Sequence, residues 1–281
     1  MTRQPFQILC STGAFSRYPD RTYYAYISDF GPELTMVDGF EVMIYPSWHD
    51  DVEYIAPKLL ATGLRFPALH VEKASGPHLV SKKKLEKGMG WYWLEQSCLL
   101  AKLLGAKTVI YHLWGPPTFD KKIEKNLAVL GRCLDIADKF ELRLAIETVP
   151  CRKADPLTHI RAAMELDKRC FVALDTEFLA LHNQLDAAMQ ADWLWQDRRV
   201  CHVHIKDYAK NMDLAEANFY RPYLHPGEGS IDFPSFFAAL RGRDFDGNIS
   251  FEASAVEQEG QVDIEKLKRS LYHLRELAEN A

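Results

Sequence analysis

Eight short apolar runs recur along this chain, separated by longer amphipathic stretches. They are Phe6–Ser11, Gly39–Tyr45, Phe66–Val71, Thr108–Leu113, Arg143–Val149, Phe171–Asp175, Cys201–Lys206 and Asn248–Glu252. All are rich in Val, Ile, Leu and Phe and lack the alternation of a strand with one wet face. Strands covered on both sides, as in parallel sheets, have this composition. The stretches between them carry helical spacing. Asp51–Thr62 aligns Val52, Ile55, Leu59 and Leu60 and stops at Gly63, while Lys83–Leu104 stops before Gly105. Lys122–Phe140 and Asp263–Glu279 repeat the pattern, and Pro234 falls in the first turn of a helix behind Asp232. Fainter helical patterns cover Tyr23–Phe30 and Leu185–Trp195. Strand and helix thus alternate with no second compositional block and no linker. The expected architecture is α/β, a single (β/α)₈ TIM barrel over residues 1–281. An open, doubly wound sheet is the competitor, but its glycine-rich first turn is missing, because Gly13 stands alone there.

Composition excludes several classes. At 281 residues and 47% hydrophobic content the chain can fill one large core. The net charge of −5 is spread along the length, and the densest basic run, Lys82–Lys84, opens a helical pattern. No basic stripe marks a nucleic-acid surface. Cys10, Cys98, Cys133, Cys151, Cys170 and Cys201 are scattered without a CxxC pair, as expected of reduced, buried thiols. No apolar leader and no membrane-length run is present, so a cytoplasmic protein without membrane partners is expected. Aromatic segments at Trp91, Trp93, Trp193 and Trp195 suit subunit contacts in a homo-oligomer.

In a barrel of this type the chemistry sits at the C-terminal ends of the strands. Reading off the polar residue near each end gives Glu41, His70, His112, Glu147, Asp175, His204 (with Lys206 and Asp207) and Glu252. Convergent carboxylates raise one another's pKa and oppose folding unless a cation neutralises them. One divalent metal held by Glu147, Asp175, His204 and Glu252 resolves that conflict, with Mn²⁺, Mg²⁺, Co²⁺ or Zn²⁺ all compatible with the donors. His202 lies on the same face of its strand as His204 and reads as a barrel residue, and Glu41 reads equally as a residue of the mouth or as a partner for a barrel Arg or Lys. Trp48 and Trp114 follow strands two and four, where aromatic walls can line a sugar pocket. Lys206 is placed to stabilise an enolate-like oxygen or to pair with Asp207 or Glu252.

These residues resemble the xylose-isomerase-like barrels, a superfamily of sugar and sugar-phosphate isomerases and epimerases, inosose dehydratases, hydroxypyruvate isomerases and family 2 AP endonucleases. The resemblance is carried by Leu69-His70, Tyr111-His112, Ala145-Ile-Glu147, Leu174-Asp175-Thr176, His202-Val-His204-Ile-Lys-Asp207, Pro226-Gly-Glu-Gly229-Ser-Ile-Asp232 and Ser250-Phe-Glu252. It implies that Glu147, Asp175, His204 and Glu252 are the metal quartet of the isomerase and epimerase branch. It further implies that Glu147 and Glu252 exchange a proton across the substrate, with His70, His112, Lys206, Arg221 and His225 contacting it. The endonuclease branch needs a His three residues after the strand-six Asp, where this chain has Phe178, and an Asp-x-His absent from Phe219–His225. The expected function is therefore metal-dependent isomerisation or epimerisation of a small sugar or polyhydroxy ketone through a cis-enediolate. Dehydration of an inosose or related keto-polyol on the same site is the alternative, and AP endonuclease activity is disfavoured.

Overall fold

A computed structural model describes residues 5–16, 23–210, 223–257 and 260–281. Eight parallel strands close into a barrel in sequence order. They are β1 Gln7–Ser11, β2 Gly39–Met43, β3 Ala68–His70, β4 Thr108–Tyr111, β5 Arg143–Glu147, β6 Phe171–Asp175, β7 Val200–Ile205 and β8 Asn248–Phe251. Each lies within or against an expected apolar run. Several runs outlast their strand by one or two residues, because the chain leaves the ladder where it begins to carry the polar groups of the barrel mouth.

Helices pack around the outside. The first four strands are followed by α1 (Ala25–Phe30), α2 (Val52–Leu60), the pair α3 (Ser75–Leu79) and α4 (Lys84–Leu104), and α5 (Ile123–Lys139). Then come α6 (Pro156–Leu166), the short run α7 (Thr176–Leu181), α8 (Leu185–Gln190) and α9 (Asp192–Trp195), α10 (Phe233–Gly242) and α11 (Ile264–Glu279). The helical pattern at Leu185–Trp195 is thus two short helices. Neither α3 nor α6 was expected. Gly76-Pro77 disguises α3, whereas α6 has a legible start: Asp155 caps it by accepting from Thr158 N at 2.8 Å, with Pro156 at the first position.

Two apolar layers result. The larger lies between sheet and helices, and a smaller cluster inside the barrel comprises Leu9, Ala68, Ile110, Ala145, Ala173 and Cys201. Alternation along β5 and β6 explains the split. Ala145 and Ala173 face the interior beneath Glu147 and Asp175, while Ile146 and Leu174 join the outer layer. The Glu41–His202 contact at 2.7 Å joins β2 to β7, which are not neighbours in the sheet, so this pair spans the interior.

Helix α3 presses on the end of β4. A Cβ on Gly76 would stand 2.0 Å from the His112 carbonyl oxygen, whereas one on Gly131 of α5 would meet nothing within 4 Å. Gly76→Ala is expected to cost at least about 1–3 kcal/mol through overpacking, and Gly131→Ala to add about 0.5–1 kcal/mol through helix propensity. Urea unfolding of both variants checks the opposite signs. Equal effects would contradict this packing.

Candidate metal centre

Glu147 and Asp175 are the last residues of β5 and β6, His204 lies near the end of β7, and Glu252 follows β8. All four are buried, and each offers a ligand atom within 4.8 Å of the others. His204 Nδ1 is 3.0 Å from Glu147 Oε1 and 3.6 Å from Glu252 Oε2. Asp175 also caps α7: its Oδ1 accepts from Phe178 N at 2.9 Å. Its Oδ2 is buried and paired with Lys206 Nζ at 2.6 Å. The same ammonium contacts Glu252 Oε2. The Lys206 backbone is fixed by Thr176, whose hydroxyl accepts from Lys206 N at 3.0 Å and donates to its carbonyl at 2.7 Å.

Three imidazoles and a carboxylate brace the quartet. His70 and His112 direct Nε2 at Glu147 Oε2, at 3.1 and 2.6 Å. That leaves Glu147 Oε1 on the His204 side. On the far side of the His204 ring, Nε2 meets Glu41 at 3.0 and 3.1 Å, and His202 binds the same carboxylate. A carboxylate on one ring nitrogen orients the other toward a metal. Of the two readings open for Glu41, its place among the residues of the mouth is the one observed: it pairs with two histidines and not with an Arg or Lys.

The electrostatics follow from burial and these contacts. Burial alone would raise the Glu147 pKa, but His112 and His204 hold it well below the carboxylate range. Glu252 is likewise held low against burial, by Lys206, Lys73 and His204. Asp175 goes the other way, to about 7, because burial and the charges of Glu147 and Glu252 outweigh Lys206. Burial lowers the His112 pKa to about 4, whereas in His204 the charges of Glu41, Glu252 and Glu147 overcome burial and raise it. Three carboxylates and an imidazole converging here fit a divalent ion bound by O and N donors.

Three other groups among the described residues have the spacing for an ion. Glu41, His202 and His204 share His204 with the quartet, His70, His112 and Glu147 share Glu147 with it, and Asp120, Cys151 and His159 lie elsewhere. The last is a satisfied structural clasp. Asp120 accepts from the backbone N–H groups of Arg152, Lys153 and Ala154 and pairs with His159. Burial pushes the Cys151 thiol well up.

The remaining expected site residues divide. Trp114 is fully buried, donates to the Val149 carbonyl at 3.2 Å and packs edge-on to His159, so it is core and not an exposed wall. Trp48 is also buried, edge-on to Tyr24 and Tyr45. His225 has both ring nitrogens engaged, with Ser270 Oγ and the Ser254 carbonyl, and ties its loop to α11 rather than offering a nitrogen to substrate. Arg221 lies outside the described residues. Lys73, three residues beyond His70, was not anticipated; its Nζ is 3.4 Å from Glu252 Oε1. A cationic residue just past a strand end was the available signal.

Asp207 organises the Pro226–Gly229 loop. Its carboxylate accepts from the backbone N–H groups of Tyr208, Gly227, Gly229 and Ile231. A Cβ on Gly229 would approach Asp207 Oδ1 to 2.4 Å, so that glycine is required by the close approach.

The chain belongs to the xylose isomerase-like TIM barrel family, whose model matches residues 31–277. No curated protein matches the sequence. Among solved structures it is similar to the 3-keto-D-glucoside 4-epimerase from E. coli, with 18% identity, a TM-score of 0.68, and 96% of this chain and 99% of that one covered. The D-allulose 3-epimerase from Methylomonas sp. gives 19% identity, a TM-score of 0.64 and coverages of 99% and 96%. A xylose isomerase domain protein from Alicyclobacillus acidocaldarius gives 15% identity and a TM-score of 0.70, covering 97% and 99%. No described helix is long and apolar enough to cross a membrane.

Asp207→Ala would leave four backbone donors without their charged acceptor, and a loss of at least about 2 kcal/mol is expected. Chemical denaturation reads it, with new protease cleavage within 224–231. Unchanged stability would contradict the organising role of Asp207.

Proposed function

We propose that this protein is a divalent-metal-dependent epimerase or isomerase of a small sugar or polyhydroxy ketone. The observation that carries the proposal is the pairing of Glu147 and Glu252, two carboxylates set in one buried cluster with an imidazole and a third carboxylate. The sugar epimerases named among its structural neighbours support the same substrate class. An ion held by Glu147, Asp175, His204 and Glu252 would supply Lewis-acid polarisation of a carbonyl and its neighbouring hydroxyl. Glu147 and Glu252 serve as the base and acid. One carboxylate removes the proton α to the carbonyl, leaving a cis-enediolate and becoming a carboxylic acid. It returns that proton to the neighbouring carbon in isomerisation, whereas in epimerisation the other glutamate, carrying a proton taken up from solvent in the substrate complex, donates it to the opposite face. Asp175 and His204 principally hold the ion, with Glu41 fixing the His204 ring. His70 and His112 act through Glu147 Oε2, and Lys73 lies against Glu252 Oε1. The missing His at position 178 and the −5 net charge favour one ion and a small substrate over phosphodiester cleavage. The sequence shows no strong phosphate cradle, which favours unphosphorylated polyols or keto-acids.

Dehydration of a keto-polyol would start with the same proton abstraction. It is favoured by one observation: the Lys206 ammonium beside Glu252 is a proton donor for a departing hydroxyl.

Chelation should abolish turnover and Mn²⁺ or Co²⁺ restore it. A panel of ketopentoses, ketohexoses and keto-inositols in D₂O, followed by NMR, should show deuterium entering at one carbon with an epimeric or isomeric product. Glu147→Gln should reduce that exchange at least about 100-fold while the fold, read by circular dichroism, stays intact. Retained exchange in this variant would sink the role given to Glu147, and a product lighter by one water would replace epimerisation with dehydration.

A further inference from the structure

Lys206 is the third member of the His202, His204, Lys206 series, and its side chain is 2% exposed. A buried ammonium needs partners, and the partners it has are unexpected. Asp175 has Oδ1 committed to Phe178 N, so Oδ2 is the oxygen left for an ion, and that is the atom 2.6 Å from Lys206 Nζ. Glu252 turns Oε2 toward His204 Nδ1 and Oε1 toward Lys73. Lys206 again takes the oxygen on the His204 side.

We propose that Lys206 is the displaceable counter-cation of the metal centre, holding two of the four ligand residues through their ion-facing oxygens until a divalent ion binds and drives the ammonium off. The inference rests on the quartet being the metal site, as proposed above. A dication and an ammonium on the same two oxygens repel each other in a medium that screens poorly. One of them must leave. The backbone of Lys206 is held on both sides by Thr176, so movement falls to the four-carbon side chain. Lysine suits the task, being a compact charge on a flexible stem, where arginine would bring a planar fork. The rings of Phe178, 4.7 Å from Nζ, and Tyr223, 5.8 Å from it, provide a cation–π shelf beside the carboxylates. Without an ion, Lys206 and His204 offset three buried carboxylates and keep the metal-free barrel folded. With an ion, the ammonium is redundant there.

The test is Mn²⁺ binding, followed by calorimetry and by the EPR signal of free Mn²⁺, on wild type, Lys206→Met and Lys73→Met. Lys73 matches the charge near Glu252 but stands 3.4 Å from the other oxygen. Lys206→Met should bind Mn²⁺ at least tenfold more tightly, and Lys73→Met should change affinity several-fold less. The metal-free Lys206→Met protein should melt below wild type, and Mn²⁺ should raise its melting temperature by more. Lys206→Gln replaces the Met variant if the latter does not express, with the same expectations. Equal tightening in both lysine variants would reduce the effect to general charge and overturn the proposal. Weaker binding in Lys206→Met would overturn it too, making Lys206 a builder of the site. If wild type and all variants fail to bind, the quartet is not a metal site, and both this proposal and the one beneath it fall.

Discussion

Three carboxylates brought together at the buried mouth of a barrel repel one another and resist desolvation, and the surrounding structure is arranged to hold them there. Glu147, Asp175 and Glu252 arrive on β5, β6 and just past β8, so the closed barrel itself forces their approach. Every cationic or hydrogen-bonding group in contact with them reduces the cost: His204 between Glu147 and Glu252, Lys206 across Asp175 and Glu252, His70 and His112 on the far oxygen of Glu147. Asp175 remains the exception, its pKa raised to about 7 despite a lysine at 2.6 Å. Under the proposed function that crowding serves a divalent cation, the species such a set of O and N donors would hold.

Support for the quartet is layered. Within the barrel, Glu41 reaches from β2 to the rings of His202 and His204 and fixes the latter from below. At the rim, Asp207 gathers backbone donors of the loop before α10, and Asp120 does the same for the loop before α6. Both are acceptor-only carboxylates satisfied by several N–H groups, an inexpensive way to freeze a loop without an apolar core beneath it. The quartet stands at strand ends and the rim on clasped loops, an arrangement that would suit the pre-organised proton transfer proposed for it.

Much of this was legible in the sequence because it follows from periodicity. The eight apolar runs predicted the eight strands, and the polar residue near each strand end predicted Glu147, Asp175, His204 and Glu252 as neighbours. What failed to show were contacts across the barrel. Nothing in the pattern around Glu41 reveals that its partners are two histidines some 160 residues later, since interior pairing depends on strand stagger and not on local composition. The packing of Trp48, Trp114 and His225 is illegible for a related reason: a residue just past a strand end can face the mouth or turn back into the core, and only packing decides. Lys73 was overlooked because it lies in a loop, where period-two reasoning does not reach. Helix α6 was overlooked despite its Asp-Pro start.

Where an ion binds decides whether the quartet is a metal centre. Anomalous diffraction from a Mn²⁺-soaked crystal locates it directly. A single peak within coordinating distance of Glu147, Asp175, His204 and Glu252, about 2.0–2.6 Å from each, is the predicted result. No peak there, or one confined to His70, His112 and Glu147, would contradict it.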